Sequence, residues 1–404
     1  MNRVQVHYQE HRVGTLAQAR GGIFFEYDPA FIVTGHELSP LHLPLSPGLL
    51  MREKVPSVAL PGLFDDSLPD AWGERLMLEW FRRQGTPAHS VTPLMKLSYV
   101  GARGMGALIY EPELQPTARD AGVSLKELHE AAMQIERAGP IDLDVLAEVG
   151  SSAGGAHAKA VIGLPRAAAG DVLAGAGDLP SSHEAWLVKF DTSRDATAGV
   201  MEHAYALMAQ AAGVDMPPTR LLETNHARAV RRHFAVQRFD RAGNARTHHH
   251  TLSGLCHMAG GDLSYETLLR VTRRVTRDER EVWRAFRRAV FNVLASNRDD
   301  HGKNHGFLYR EREWSLGPAY DLTFRSPRQL PERGMSIGGE RAGAGRAHLL
   351  KLAESETLDR RAALTIIDEV AAAIADWRTF ADRAKVPATL AAEVAFALSI
   401  QARV

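Results

Sequence analysis

The stretch Asn297-Arg298-Asp299-Asp300-His301-Gly302-Lys303-Asn304 decides how this chain is read. It follows residues 282–294 (VWRAFRRAVFNVL), whose apolar spacing predicts a helix buried along one face. The octapeptide then falls on a loop, and His305-Gly306-Phe307-Leu308-Tyr309 predicts a short strand. A second short strand, Trp314-Ser315-Leu316, is closed by Ala319-Tyr320-Asp321-Leu322. An Asp and an Asn thus stand five residues apart on a loop, with another Asp at the end of the next hairpin. Phosphoryl transfer in kinases uses that set: one carboxylate orients the attacking hydroxyl, while an amide oxygen and a second carboxylate hold Mg²⁺. Without a cation these oxygens would repel one another, so a divalent ion is implied. Runs of Asp, Asn, Gly, His and Lys are also what ordinary loops are made of. Other segments have to decide.

Composition narrows the field. The chain has 404 residues, 45% hydrophobic and 24% charged, enough for two or three globular domains. Its 48 basic and 48 acidic residues cancel, so bulk charge predicts no nucleic-acid footprint. A single cysteine, Cys256, excludes disulfide stapling and suits a reducing interior, where it reads as a small buried hydrophobe. The N-terminal residues lack the apolar core of a signal peptide, and no apolar run reaches the ~20 residues that span a bilayer. A soluble cytoplasmic protein without membrane contact is expected.

Residues 1–60 alternate in short β-like runs broken by Gly and Pro, which predicts a small barrel-like unit. Residues 71–84 predict a helix capped by Asp70, with Trp72, Leu76, Trp80 and Phe81 on its core face. Residues 101–108 (GARGMGAL) have neither dinucleotide nor Walker spacing and predict a tight turn before a strand. After a linker, Ser124 and Glu127 form a capping-box pattern for a helix over 124–138.

Residues 150–159 (GSSAGGAHAK) precede a strand, and small residues there let backbone N–H groups approach an anion. Lys189 lies inside the apolar strand WLVKF, where an unpaired cation is costly to bury. It is either an edge-strand lysine reaching water or the lysine that grips nucleotide phosphates. A glutamate partner could be Glu202, or Glu184. Residues 234–241 (FAVQRFDR) form a strand leading into a polar turn, the place for a hinge. His248-His249-His250 lacks the i,i+4 geometry of a helical metal site and is expected to be a solvated loop. From Ser264 onward the chain is mainly helical, and residues 331–346 are expected to be its most mobile loop.

In order, SSAGGAHAK, WLVKF, VQRFDR, LSGLCHMAG, NRDDHGKN and AYDL resemble the HipA-type serine/threonine kinases, toxins of bacterial toxin–antitoxin pairs. FFEYDPAF, LPGLFDDSLPDAWGERL and GARGMGAL are similar to that family's N-terminal subdomain, so the resemblance covers nearly the whole chain. It implies an α+β, two-lobed, protein-kinase-like fold of the phosphoinositide-kinase-related branch, using ATP and Mg²⁺. A β-rich subdomain would occupy residues 1–112, an N-lobe 113–240 and a helical C-lobe 241–404.

By position, the resemblance makes Asp299 the catalytic base and Asn304 and Asp321 the Mg²⁺ ligands. Lys189 would bind the α/β-phosphates, with His301 and Tyr320 lining the nucleotide site. Gln237 and Phe239 would offer backbone groups to adenine, and Asp240 would sit near the ribose. Gly154, Gly155, Ala156 and His157 would form the phosphate loop, although His157 departs from the family's usual Arg or Gln. Ser152, or the adjacent Ser151, would be autophosphorylated. The resemblance further implies a helix-turn-helix antitoxin that carries the DNA contact, and a protein substrate such as an aminoacyl-tRNA synthetase. A small-molecule or lipid kinase, or a silent scaffold acting through an antitoxin, are the alternative readings.

Overall fold

The computed structural model describes residues 1–20, 22–51, 60–115, 122–136, 157–167, 170–175, 177–226 and 229–404. The expected positions Ser151, Ser152, Gly154, Gly155 and Ala156 lie outside them.

The first alternating segments form a five-stranded antiparallel sheet: β1 (Arg3–Tyr8), β2 (His11–Ala19), β3 (Gly22–Tyr27), β4 (Leu49–Met51) and β5 (Leu108–Glu111). Its order is β4-β3-β2-β1-β5. Between β4 and β5 the chain leaves the sheet for the helix Ala71–Arg83, whose first turn is capped by Asp70 Oδ1 accepting the Gly73 N–H at 2.8 Å. Trp72 and Leu76 of this helix are buried against the next sheet rather than the first. The N-terminal region therefore helps build the core of the following lobe.

That lobe is a second antiparallel sheet: β6 (Lys159–Pro165), β7 (Leu173–Ala174), β8 (His183–Lys189), β9 (Thr219–His226) and β10 (Ala229–Gln237), in the order β7-β6-β8-β10-β9. Helix Leu125–Glu136 and the strand residues Ile162, Trp186 and Val188 share one apolar core. Strand β8 is central, which removes the edge-strand reading of Lys189. Opposite it in register stands Lys159 of β6. Directly opposed residues of antiparallel strands project to the same face, so the two lysines share one face of the sheet.

A small hairpin, β11 (Arg241–Ala242) with β12 (Ala245–Arg246), leads into the C-terminal lobe. The helices of this lobe pack around Glu279–Leu294, the amphipathic helix expected from the sequence, here spanning 16 residues. A three-stranded sheet also belongs to the lobe: β13 (His248–Thr251), β14 (Gly306–Arg310) and β15 (Glu313–Leu316). Its first strand corrects the expected solvated loop. His248 and His250 are buried and alternate with His249, which faces the cleft. Their polarity is absorbed locally: His248 Nε2 donates to the Leu38 carbonyl at 2.9 Å, and His250 Nδ1 lies 2.5 Å from Asp66 Oδ2. A buried imidazole with a hydrogen-bond partner is a tolerable interior group.

Candidate active site

Between the lobes lies a cavity of about 330 Å³. At one end it is lined by Met105, Met216, Val236, Gln237, Arg238 and Phe239; at the other by Asp70, Glu202, His301, Lys303, Asn304 and Asp321. Two rings of the hinge end, Phe239 and Tyr320, stack with centroids 5.8 Å apart and planes 26° from parallel.

Lys189 organises the charged end. Its ammonium donates to Glu202 Oε1 and to Asp321 Oδ1. Glu202, on helix Ala198–Ala211, is the partner, and the alternative Glu184 instead pairs with Arg166 at 2.7 Å. Burial works against the charge on Lys189, but Asp321 and Glu202 outweigh it, so its pKa lies above the ordinary lysine value. Burial likewise opposes the negative charge of Asp321, and Lys189 reverses the balance and holds its pKa below the usual range. Glu202 has the weaker share: burial keeps its pKa raised, with the Asp321 charge adding to that effect. One lysine facing two carboxylates leaves this group with an excess of negative charge, a setting that favours a further cation.

The backbone of Asp321 is left-handed (φ 56°), a conformation rare for residues other than glycine. Such positions persist where surrounding contacts over-determine them and cluster at functional sites.

The octapeptide alternates between anchoring and presenting. Asn297, Arg298 and Asp300 are buried, whereas His301 and Asn304 line the cavity. Asp300 accepts from Tyr265 Oη at 2.5 Å, from Arg333 Nη1 at 2.9 Å and from the Gly334 N–H at 2.8 Å. Arg298 donates to the carbonyls of Pro331 (2.5 Å) and Ala342 (2.7 Å). Residues 331–346, expected to be mobile, are thus the brace behind the loop. Gly334 packs so closely that a Cβ there would come within 2.4 Å of the His301 backbone nitrogen. The brace was not legible in the sequence, because its glycines and arginines look like a flexible linker.

Asp299 is about half exposed and is not itself among the residues lining the cavity; its Oδ1 lies 3.6 Å from Nε2 of the cavity-lining His301. Its carbonyl accepts from Asn304 Nδ2 at 2.7 Å, which leaves Asn304 Oδ1 as the amide's acceptor atom. Tyr320 donates to the Lys303 carbonyl at 2.7 Å. His157 is exposed, just before β6.

The backbone at the hinge is partly used within the chain. The Gln237 N–H donates to the Pro218 carbonyl at 2.9 Å, and the Phe239 carbonyl accepts from Arg310 at 2.9 Å. Those two backbone groups are occupied within the chain, although the Gln237 and Phe239 side of the cleft does line the cavity. Asp240, placed near a ribose by resemblance, is fully buried instead. It accepts from Arg238 Nη2 at 2.6 Å and from the Gly106 N–H at 2.7 Å, and also pairs with Arg241. Burial opposes its charge, yet the two guanidiniums hold its pKa well below the ordinary carboxylate range.

A second missed element is the pair Lys159–Asp70. The Lys159 side chain is wholly buried, and its ammonium donates to Asp70 Oδ2. Asp70 thereby caps a helix with one oxygen and neutralises a buried cation with the other. A buried lysine at the first position of an apolar strand is a signal for such a partner, but nothing local names it.

Residues 4–111 match the HipA N-terminal domain, and residues 151–378 match the HipA-like C-terminal domain. The chain belongs to the HipA family. Its fold agrees with a chain from the Shewanella oneidensis MR-1 toxin–antitoxin complex of HipA, HipB and operator DNA, at a TM-score of 0.71 and 17% identity. That likeness covers 99% of this chain and 96% of the other. The Sinorhizobium fredii protein named "Putative kinase Y4mE" is 29% identical over 146 residues, a match spanning 32% of this chain and 34% of that protein. The Helicobacter pylori proinflammatory kinase CtkA overlaps 55% of this chain at 13% identity and a TM-score of 0.35, too low to establish a shared fold. With the Shewanella chain this member shares, over nearly the whole length, a mixed helix-and-sheet fold of two lobes preceded by a β-rich domain. Among the described residues no helix is long and apolar enough to cross a membrane.

Proposed function

We propose that this HipA-family chain is an ATP- and Mg²⁺-dependent serine/threonine protein kinase that acts as the toxin of a toxin–antitoxin pair. The observation that carries the reading is Lys189, on the central strand of the cleft, bound at once to Glu202 and Asp321. A strand lysine paired to a helix glutamate and facing a metal-ligand aspartate is the arrangement that phosphoryl transfer requires.

The donor set fits Mg²⁺. Asn304 and Asp321 supply oxygen atoms at one cavity, and this ion commonly keeps waters and phosphate oxygens for most of its shell. Among the described residues no group of three or more His, Cys, Asp or Glu forms a self-sufficient metal cage, which accords with such a shared shell. When bound, ATP with Mg²⁺ supplies the transferable phosphoryl group and positive charge beside the two carboxylates. Glu202 fixes the Lys189 ammonium, whose remaining donor capacity serves the α/β-phosphates. Asp299, beside the cavity-lining His301, accepts the proton of the incoming serine or threonine hydroxyl. The brace through Asp300 and Arg298 holds that carboxylate in place, so little reorganisation accompanies the reaction. Phe239, Tyr320 and His301 line the nucleotide, and Ser151 or Ser152 in the glycine-rich loop is the autophosphorylation site.

The partner is a helix-turn-helix antitoxin of HipB type, a reading supported by the Shewanella complex. The net charge of +0 agrees with DNA contact through that partner. The substrate class is a translation component such as an aminoacyl-tRNA synthetase. Incubation of the purified chain with γ-labelled ATP, Mg²⁺ and a panel of purified synthetases tests the reading. Label transfer is expected for the wild type, and loss of the base in Asp299→Ala should reduce its rate by ~10²–10⁴. Growth arrest and labelling that survive both Asp299→Ala and Asp321→Ala would overturn it.

A further inference from the structure

The N-terminal domain reaches the cavity by a route that the phosphate chemistry does not use. The turn at residues 101–106 is fastened to the segment after β10 by a buried polar clamp. Arg238 Nη2 and Arg241 Nη2 donate to the Gly104 carbonyl at 3.2 and 3.0 Å. Arg241 Nη1 donates to the Gly106 carbonyl at 2.9 Å, while Asp240 accepts the Gly106 N–H at 2.7 Å. Gly106 has φ 81°, and a Cβ there would lie 3.0 Å from the His249 backbone nitrogen. Both the left-handed conformation and the close approach require glycine. The backbone is thereby fixed on each side of a single residue, Met105.

The Met105 side chain lines the cavity beside Gln237, Phe239, His249 and Tyr320. Its Sδ lies 3.8 Å from Arg238 Nη2. Phe239 and Tyr320 stack, and the His249 ring stands 5.6 Å from Phe239 and 6.1 Å from Tyr320. The result is a cluster of three aromatic rings on the same cavity wall as the Met105 thioether. A flat aromatic base suits such a surface through stacking, and a thioether makes favourable contact with aromatic rings.

We propose that Met105, delivered by the N-terminal domain, sets the size of the nucleobase slot, so that base selectivity depends on a domain outside the two kinase lobes. This rests on the cavity being a nucleotide site. The clamp through Asp240 explains why a carboxylate so near the hinge is turned away from the ligand: it positions the turn that carries Met105.

The test uses the full chain and calorimetric binding of Mg²⁺ with ATP or with ATP analogues enlarged on the base at N6, C2 or C8. Wild type is expected to prefer ATP. Met105→Ala should narrow that preference by roughly tenfold for at least one analogue, Met105→Leu should keep it, and Met105→Trp should weaken ATP binding by roughly tenfold. Wild type that binds ATP, with a preference unchanged in a folded Met105→Ala, overturns the assignment and leaves the nucleotide site standing. If Met105→Ala does not fold, equal ATP affinity of the Leu and Trp variants overturns it instead. Failure of wild type to bind ATP overturns both this assignment and the kinase reading.

Discussion

The two ends of the cleft are built on opposite physical principles. The hinge end is mostly apolar and aromatic, and its charges, Arg238, Asp240 and Arg241, pair with one another. The charged end presents carboxylates to the cavity, each paired with a lysine behind it: Glu202 and Asp321 with Lys189, and Asp70 with Lys159. Shape can be prepared in advance without a desolvation penalty, whereas buried charges must always have partners. The hinge end can therefore be rigid before a ligand arrives. The charged end can hold like groups close only because unlike ones stand between them.

Acid should affect the frame shared by both ends most broadly. His233, in β10, and His248, in β13, are each held at about 3, chiefly by burial and then by neighbouring histidine charge. Between pH 6.5 and 3 the unfolded chain binds protons there that the folded chain does not, so stability present above 6.5 falls as pH is lowered. The loss should be on the order of 1 kcal/mol per pH unit for each histidine. Urea midpoints from pH 7 to 5 measure it, and a flat profile would refute the buried neutral state.

Within the charged end, Lys189→Met should abolish label transfer and cost about 3–5 kcal/mol of stability, because two buried carboxylates lose their cation. Chemical denaturation alongside phosphate transfer separates the two losses. Asp70→Asn is expected to cost about 3 kcal/mol. Asparagine caps a helix as well as aspartate does, so the loss reports the stranded Lys159, and adding Lys159→Met should recover most of it. No recovery in the double variant would mean that the cap, not the ion pair, is what matters.

At the hinge end the effect should be smaller. Phe239→Ala removes one ring of the Phe239–Tyr320 stack, worth about 0.5–1.5 kcal/mol of folding stability beyond its area, and should also weaken nucleotide binding about tenfold. A larger effect here than for Lys189→Met would reverse the comparison.

The parts legible in the sequence are those whose chemistry is local. The amphipathic helix Glu279–Leu294, the loop after it and the hairpin that ends at Asp321 follow from periodicity and turn residues. Lys189 was conspicuous because a cation in an apolar strand demands a partner. The His248–His250 run was misread for the same local reason: three polar rings look solvated until a carbonyl and a carboxylate are found for them. Residues 331–346 look loose until Arg298 and Asp300 are seen to hold them.

The sequence by itself determined the family motifs, the order of the lobes and the placement of Asp299, Asn304 and Asp321 on loops, since each depends on residues only a few positions apart. Tertiary structure alone decided which charges meet. Lys189 and Asp321 are separated by 132 positions, Lys159 and Asp70 by 89, and His250 and Asp66 by 184. Pairings at such separations depend on how sheets and helices pack, and the energy of a buried charge is set by the partner that packing brings to it.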